Sequence, residues 1–277
     1  MEKKRKLFCE ISPATYAIAL QKQIITRHIK NCLSRERFAI TRQQEPLPVV
    51  VWSESNNMIK RGPGIEMQLQ LNKVKNIKLA CSKIHGLIIK PGESFSFWKC
   101  VGKTSAKNGF SEGRVIKKGV LVAGVGGGLC NLANTINLLV MHSPLTITEL
   151  HHHSDALAPD ADGKRVPYSA GTSVNYNFID YRFRNDTSQP VQLLAWCDGD
   201  ELKTELRTTM EFPFTYCLSE EDHHFHQEDN GKYYRISKIY RETRDRATGK
   251  LLSRHLQWNN HSEVMFDYNL IPREQIK

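Results

Sequence analysis

The segment from Gly124 to Ser154 constrains the fold and the function of this chain more than any other. It begins with a cluster of glycines, reaches a cysteine at Cys130, and ends in the histidines His151, His152 and His153 before the serine. The glycines are Gly124, Gly126, Gly127 and Gly128. Because glycine has no Cβ atom, such a loop can turn sharply or approach another group closely. A thiol directly after this loop, followed by histidines, predicts a functional site.

A helix is predicted from about Leu129 to Met141, because apolar residues recur at spacings of three and four and Pro144 marks the end. Cys130 then lies in the first turn, where backbone N–H groups have no partner within the helix. We expect the positive end of the helix dipole to favour the thiolate form of Cys130. The thiolate is the form of cysteine that acts as a nucleophile and binds metal ions.

The histidines follow a β-branched run, Thr146 to Thr148, which predicts a strand that leads into a loop. Side chains alternate between the two faces of a strand, so His151 and His153 are expected to point to the same side. Either of these two histidines is a candidate base for a nucleophilic Cys130.

Other interpretations of this segment stay open. Cys130, His151 and His153 are also a candidate zinc site, since zinc binds thiolate and imidazole; apart from zinc, no cofactor is predicted. The glycine loop and the helix N-terminus are alternatively an anion site without catalysis. The plainest interpretation is a buried cysteine beside a polar histidine loop.

The charge of the chain favours anionic partners. It has 39 Lys and Arg residues against 29 Asp and Glu residues, which gives a net charge of +10. We therefore expect an anionic cell-wall precursor or a membrane surface as the partner. Nucleic acid is not an expected partner, because the basic residues lack the aromatic and basic pattern of RNA-binding modules. The sequence leaves the oligomeric state open.

The cysteine content indicates the compartment. The chain has seven cysteines at wide spacings, which suits a reducing compartment better than a disulfide scaffold. It has no CxxC pair, so a closed zinc-ribbon site is not expected. The chain has no apolar run of about eighteen residues and no recognisable secretion signal. We expect a cytoplasmic protein, or one that is peripheral to the inner face of the membrane.

Composition and pattern divide the chain into three predicted regions. Residues 1–65 form a basic helical N-terminal region, with a helix from about Pro13 to Leu33. Residues 66–210 form the core, and residues 211–277 form a C-terminal β-hairpin extension. The predicted class is α+β, with N-terminal helices, an antiparallel sheet, and a Gly-rich loop that leads into the Cys-bearing helix.

Within the predicted core, a helix spans about Glu66 to Gly86, and a hairpin turns at Lys118 and Gly119. The run from Thr172 to Arg184 predicts one long strand. Two further strands, Pro190–Cys197 and Glu201–Thr208, complete an antiparallel meander.

Ordered motifs along the chain resemble a known family. They are PGESFSFWKCVG (Pro91–Gly102), GVGGGLCNLAN (Gly124–Asn134), ELHHHS (Glu149–Ser154) and FRNDT (Phe183–Thr187). Together they resemble the VanW family, which is named after an accessory protein of a vancomycin-resistance gene cluster. The resemblance is strong over about Gln68 to Thr208.

The resemblance carries over to individual residues. Cys130 and the three glycines before it match the glycine–cysteine motif of the family. His151, His153 and Ser154 match its histidine motif, and Glu93 matches its PGE element.

From these residues we expect a Cys/His-dependent hydrolase or acyl transferase, in which Cys130 is the nucleophile and His153 or His151 is the base. Asn131 and the helix N-terminus are expected to stabilise the oxyanion. Asn131 stands where the family has glutamine, and Leu150 stands where it has arginine. The predicted ligand-binding residues are Gly126, Gly127, Gly128 and Glu93.

The gene-cluster association of the family implies a cell-wall-related amide or acyl group as the substrate, and a role accessory to glycopeptide resistance. Two alternatives remain from the residues themselves. One is a non-catalytic binding module for an anionic ligand at the Gly-rich loop. The other is a Cys/His metal-binding protein.

Overall fold

The computed structural model describes residues 7–61, 65–117, 120–152, 155–156, 159, 171–176 and 178–277. Its helices are α1 (Pro13–Leu33), α2 (Met67–Ile84), α3 (Phe97–Val101) and α4 (Leu129–Met141). Its strands are β1 (Arg37–Phe38), β2 (Val49–Asn57), β3 (Leu87–Ile89), β4 (Glu93–Ser96), β5 (Glu112–Lys117), β6 (Val120–Val125), β7 (Thr146–Glu149), β8 (Asp155–Ala156), β9 (Arg182–Arg184), β10 (Val191–Asp198), β11 (Glu201–Thr208), β12 (Phe214–Gln227), β13 (Tyr233–Asp245) and β14 (Leu251–Val264). The predicted α+β class is confirmed.

Over the described part of the chain, the strands form three four-stranded sheets and one hairpin. The sheet orders are β1-β4-β9-β7, β2-β11-β10-β3 and β12-β13-β14-β8, and β5 pairs with β6. Neighbouring strands are antiparallel, except that β1 and β4 are parallel and β8 and β14 are parallel. Among the described residues, the predicted antiparallel meander forms only in its β10–β11 pair, because β9 lies in a different sheet. Strand β2 extends this pair on one side and β3 on the other.

Apolar periodicity located three of the four helices of the described residues, and the short α3 was not predicted. Helices α1 and α4 have the predicted ends, and α2 is slightly shorter than predicted. Helix α1 begins where expected because the Ser12 hydroxyl accepts the Thr15 N–H at 3.2 Å and Pro13 occupies the first helical position. The predicted hairpin is confirmed as β5–β6, although its turn residues, Lys118 and Gly119, lie outside the described residues.

The single strand predicted for residues 172–184 is wrong. The backbone N–H of Asn175 donates to the Ile179 carbonyl at 2.8 Å, and the Ile179 N–H donates back at 3.1 Å. The chain therefore folds back between these residues, at an asparagine, which is a frequent turn former. Only the last part of the run, β9, pairs with β4 and β7.

Helix α4 lies in the centre of the main hydrophobic core. Its Leu132, Ile136 and Leu139 are fully buried and pack with Ile77 and Ile84 of α2. Strands β2 and β11 cover another side of α4. Because this helix is enclosed on nearly every side, its polar side chains must find partners inside the protein or line a cavity.

The third sheet has a small core of its own, formed by Phe225, Val264 and Ile271. It is joined to the main core in part by Arg246, whose side chain donates to the Phe212 carbonyl at 2.7 Å. The division of the chain at residues 65 and 210 stays a prediction. No helix of the described residues is long and apolar enough to cross a membrane.

Asn76 of α2 ties the loop before α4 to the hairpin β5–β6. This fully buried side chain donates to the carbonyls of Ser111 and Gly127, each at 3.0 Å, and accepts the Ser111 N–H at 2.8 Å. The chain that enters α4 is thereby held against α2.

We predict that Asn76→Ala lowers the free energy of unfolding by about 2–4 kcal/mol, because it leaves buried carbonyl and N–H groups without partners. Urea denaturation measures this change. Gln68→Ala is the matched control, since Gln68 lies on the same helix and bonds Asn72 at the exposed surface; it should cost less than about 0.5 kcal/mol. Equal effects of the two substitutions would contradict the anchoring role of Asn76.

Candidate functional site

The glycine loop packs backbone against backbone. A Cβ atom at Gly127 would lie 2.2 Å from the carbonyl carbon of Gly113, so no other residue fits there without a shift. The N–H of Gly126 donates to the Ser111 carbonyl at 3.0 Å, and the N–H of Gly127 donates to the Gly124 carbonyl at 3.1 Å. These two N–H groups already have acceptors, which leaves fewer of them for an anion in the loop.

The side chain of Lys73 lies over the start of α4. A Cβ atom at Gly128 would be 2.3 Å from the Lys73 Cγ, and the Lys73 ammonium donates to the Met58 carbonyl at 2.6 Å. Burial, together with repulsion from Lys60 and Arg114, lowers the pKa of Lys73 to about 8. The positive groups around the N-terminus of α4 favour an anion at this end of the helix.

Cys130 occupies the first turn of α4, as predicted. The residue is partly exposed, and its thiol donates to the Val174 carbonyl at 3.7 Å. Burial raises the pKa of the Cys130 thiol, and the hydrogen bond to Val174 offsets only part of this effect. The direction is opposite to the one expected from the helix dipole, and its largest cause is desolvation.

The described histidines have different partners. His151 is exposed, and its Nε2 lies 3.1 Å from the Glu149 carboxylate. His152 forms a β-bridge with Thr172, and its ring stacks on Trp258 with 4.1 Å between the ring centroids. His153, the other predicted base and zinc ligand, lies outside the described residues together with Ser154.

The segment Thr172–Val174 connects the cysteine and the histidines. The Ser173 N–H donates to the His151 carbonyl at 2.7 Å, and the Val174 carbonyl accepts the thiol of Cys130. Cys130 and the histidine backbone therefore contact the same short segment. The described hydrogen bond of the thiol goes to this backbone and not to an imidazole.

Glu149 links the histidine motif to the N-terminal helix. Its carboxylate accepts two hydrogen bonds from Arg27 of α1, at 2.5 and 2.7 Å, and one from the Asp180 N–H at 3.1 Å. Burial opposes ionisation of Glu149, but the hydrogen bonds from Arg27, Asp180 and His151 outweigh it and hold the pKa below its usual value. Glu149 was not among the predicted site residues, although it lies two residues before His151 within the ELHHHS motif.

A second anchor of α1 lies beside the first. Arg182 donates to Asp180 at 2.8 Å, to Glu36 at 3.1 Å and to the Asn31 side chain at 2.8 Å. Helix α1 has no buried residue, so these polar contacts hold it on the core.

The remaining predicted residues have structural contacts. Glu93 accepts the Lys90 N–H at 3.0 Å and so closes the turn before β4. Asn131 follows Cys130, and its Oδ1 is buried without a hydrogen-bond partner among the described residues. The ligand at Glu93 and the oxyanion role of Asn131 stay predictions.

A cavity of about 170 Å³ lies between α4, the histidine segment and β14. Its lining combines amide, hydroxyl, aromatic and apolar side chains. The lining residues are Asn134, Asn137, Met141, Ile147, Leu150, His152, Gly171, Thr172, Gln257 and Trp258. None of these residues was predicted as part of a site; the predicted histidines were His151 and His153, and the one that lines the cavity is His152. The available signal was the series Asn131, Asn134 and Asn137 at helical spacing in an otherwise apolar helix.

Asn134 and Asn137 differ in their hydrogen bonding. The Asn134 Oδ1 accepts both the N–H and the hydroxyl of Thr172, at 3.3 and 3.2 Å. The Asn137 Oδ1 is buried and has no hydrogen-bond partner in the part of the chain that the structure describes. An unpaired buried acceptor costs about 1–3 kcal/mol, so a donor from a bound molecule would be stabilised there.

A metal site is not formed by the described residues. Within them, no group of three or more His, Cys, Asp or Glu side chains is placed to hold a metal ion. The predicted zinc set of Cys130, His151 and His153 includes one residue outside this range, so zinc at that set stays untested.

Comparisons with known proteins identify relatives. A family model described as "VanW like protein" matches residues 72–207. The chain is 26% identical to the vancomycin B-type resistance protein VanW of Enterococcus faecalis over 229 residues, which cover 83% of this chain and 82% of that protein. It is 31% identical to the uncharacterized protein YoaR of Bacillus subtilis over 120 residues, 43% of this chain and 38% of that protein. No solved structure matches the chain.

The ion pair between Glu149 and Arg27 should make the stability of the fold depend on pH. Because the folded-state pKa of Glu149 is lowered, its stabilisation is complete above the unfolded value and is lost as the pH falls through the folded value. We predict that Glu149→Gln costs about 2–3 kcal/mol at neutral pH and that the difference from the parent shrinks below about pH 4.

Urea denaturation of both proteins across the pH range tests this prediction. Glu211→Gln is the matched control, since Glu211 is exposed and lies 4.0 Å from Arg246. A difference that stays constant down to low pH, or a neutral effect of Glu149→Gln, would show that the Arg27–Glu149 contact does not stabilise the fold.

The raised pKa of the Cys130 thiol should make this cysteine slow to react with alkylating reagents. We expect iodoacetamide to label Cys130 at least about tenfold more slowly than the exposed Cys32 near neutral pH, because the thiolate is the reactive form. Timed labelling followed by peptide mass spectrometry measures both thiols in one sample. Faster labelling of Cys130 than of Cys32 would contradict a buried, protonated thiol.

Proposed function

The chain belongs to the VanW family, and from this premise we propose that it is an accessory protein of glycopeptide resistance that binds an amide-bearing cell-wall precursor in the cavity beside α4. The relationship to a vancomycin resistance protein supports the cellular role. One observation carries the site: Asn137 lines the cavity, and its buried Oδ1 has no hydrogen-bond partner among the described residues.

The chemistry of the lining favours an amide ligand. An acceptor at Asn137 suits an N–H donor, and the side-chain amide of Gln257 can donate as well as accept. The stacked rings of His152 and Trp258 offer a flat surface for an apolar part of the ligand. A cavity of about 170 Å³ accepts a group of roughly the size of benzene, so one small part of a larger precursor enters it.

The surroundings of Cys130 favour binding over catalysis. A nucleophilic cysteine needs a thiolate and a base within hydrogen-bond reach. Burial keeps the thiol of Cys130 protonated near neutral pH, and the thiol donates to a backbone carbonyl. The main role of Cys130 in this proposal is to fill space at the start of α4.

A Cys/His-dependent hydrolase or acyl transferase is the second candidate function. The observation in its favour is that the segment Thr172–Val174 contacts both Cys130 and the backbone of His151. In this candidate, the Cys130 sulfur bonds the carbonyl carbon while the bond to the leaving amine or alcohol breaks, and His153 or His151 takes the thiol proton and passes it to that leaving group. Water or an acceptor nucleophile then takes the acyl group from Cys130. The labelling experiment described for Cys130 separates it from the binding function.

Binding of an anion at the glycine loop is the third candidate. Lys73, Lys60 and Arg114 favour it through their charge. The internal hydrogen bonds of Gly126 and Gly127 weigh against it, because they occupy the N–H groups that would hold the anion.

We predict that Asn137→Leu weakens binding of a peptidoglycan-stem peptide roughly tenfold or more. Leucine has a similar shape, but it lacks the acceptor that an N–H group of the ligand would bond. Isothermal titration calorimetry measures the affinity. Asn131→Leu is the matched control, since Asn131 lies on the same helix, also has a buried Oδ1 without a partner among the described residues, and does not line the cavity.

Binding that survives Asn137→Leu but is lost in Asn131→Leu would place the ligand at the Cys130 end of α4 and contradict the proposed site. Circular dichroism and urea denaturation of both variants show whether each one is folded.

Trp258→Ala should weaken binding in the same way as Asn137→Leu, because it removes the aromatic wall of the cavity.

A further inference from the structure

Helix α1 has two faces of opposite character. One face docks on the core through polar contacts, in which Arg27 binds Glu149 and Asn31 accepts a hydrogen bond from Arg182. Arg27 also donates to the Phe178 carbonyl at 2.9 Å. None of these contacts uses the large apolar residues of the helix.

The other face carries an apolar stripe that points to solvent. Its members recur at offsets of seven, four and four, which places them on one side of a helix. They are Ile18, Ile25, Ile29 and Leu33, which are 60, 56, 53 and 78% exposed. Large aliphatic side chains repeated along one face of a helix mark a surface that binds something apolar.

The charges of α1 are of one sign. The helix contains Lys22, Arg27 and Lys30 and no Asp or Glu. Lys22 and Lys30 are exposed, and neither forms an ion pair with the described residues. The sequence just before the helix adds Lys3, Lys4, Arg5 and Lys6.

We propose that the outward face of α1 binds an anionic lipid surface, with the helix parallel to the surface and its isoleucine stripe inserted among the acyl chains. An interfacial helix combines an exposed apolar face with lysines that pair with anionic headgroups. The geometry fits, because the docking contacts of α1 leave both the stripe and the two lysines accessible.

A second copy of the chain is a less suitable occupant than lipid. If two copies met through this stripe, the lysines of one helix, Lys22 and Lys30, would lie close to the lysines of the other. Neither helix has a carboxylate to offset the repulsion between these positive charges. An anionic surface instead attracts each of these lysines.

The experiment is co-sedimentation of the full chain with vesicles of phosphatidylcholine alone or of phosphatidylcholine and phosphatidylglycerol in equal parts. We expect binding to the anionic vesicles that weakens as salt is raised. Lys22→Glu with Lys30→Glu should weaken it by roughly fivefold or more per lysine. Ile25→Ser with Ile29→Ser should weaken it roughly tenfold or more.

Leu251→Ser with Leu252→Ser is the matched control, since these residues are exposed apolar side chains of β14, 42 and 49% accessible. This control should bind the vesicles like the parent. Equal binding to neutral and anionic vesicles, or unchanged binding by the Ile25→Ser/Ile29→Ser variant, would overturn the proposal.

Analytical ultracentrifugation without vesicles separates the competing explanation. A parent that is dimeric, becomes monomeric in Ile25→Ser/Ile29→Ser and does not sediment with anionic vesicles would overturn the lipid proposal in favour of self-association. A parent and variant of the same size, with vesicle binding lost only in the variant, would support it.

Discussion

The contact between the backbones of Gly127 and Gly113 determines where α4 begins. Asn76 reinforces it from α2 with hydrogen bonds to both neighbouring chain segments. A fixed start also fixes how α4 is rotated about its own axis. In this orientation Asn134 and Asn137 face the cavity. The glycine-rich motif thus has a packing explanation that does not require a phosphate or another anion in the loop.

Polar contacts attach α1 to this core. The Arg27–Glu149 pair and the contacts of Arg182 hold the helix by one face, and Ile18, Ile25 and Ile29 on the other face remain exposed. Glu149 also contacts His151, so the same carboxylate connects the N-terminal helix with the histidine motif. Because these docking contacts lie on the face opposite Ile18, Ile25 and Ile29, that apolar face stays free.

Much of the fold was predictable from sequence, and much of the site was not. Helical spacing identified α1 and α4 because that signal is local. The state of Cys130 depends on Val174, which is 44 residues away along the chain, and sequence periodicity carries no information on that contact. Trp258 completes the cavity from β14, which packs there only through the tertiary fold. The fold-back at Asn175 was missed because the surrounding residues favour strand.

The central claim is that a ligand with N–H donors occupies the cavity beside α4. The most direct test is a titration of the labelled protein with a peptidoglycan-stem peptide, followed through the side-chain amide signal of Asn137 and the backbone amide signals of Gly126 to Gly128 by nuclear magnetic resonance. We predict a saturable shift of the Asn137 signal with little change in the glycine signals. A shift confined to the glycine loop, with the Asn137 signal unmoved, would contradict it.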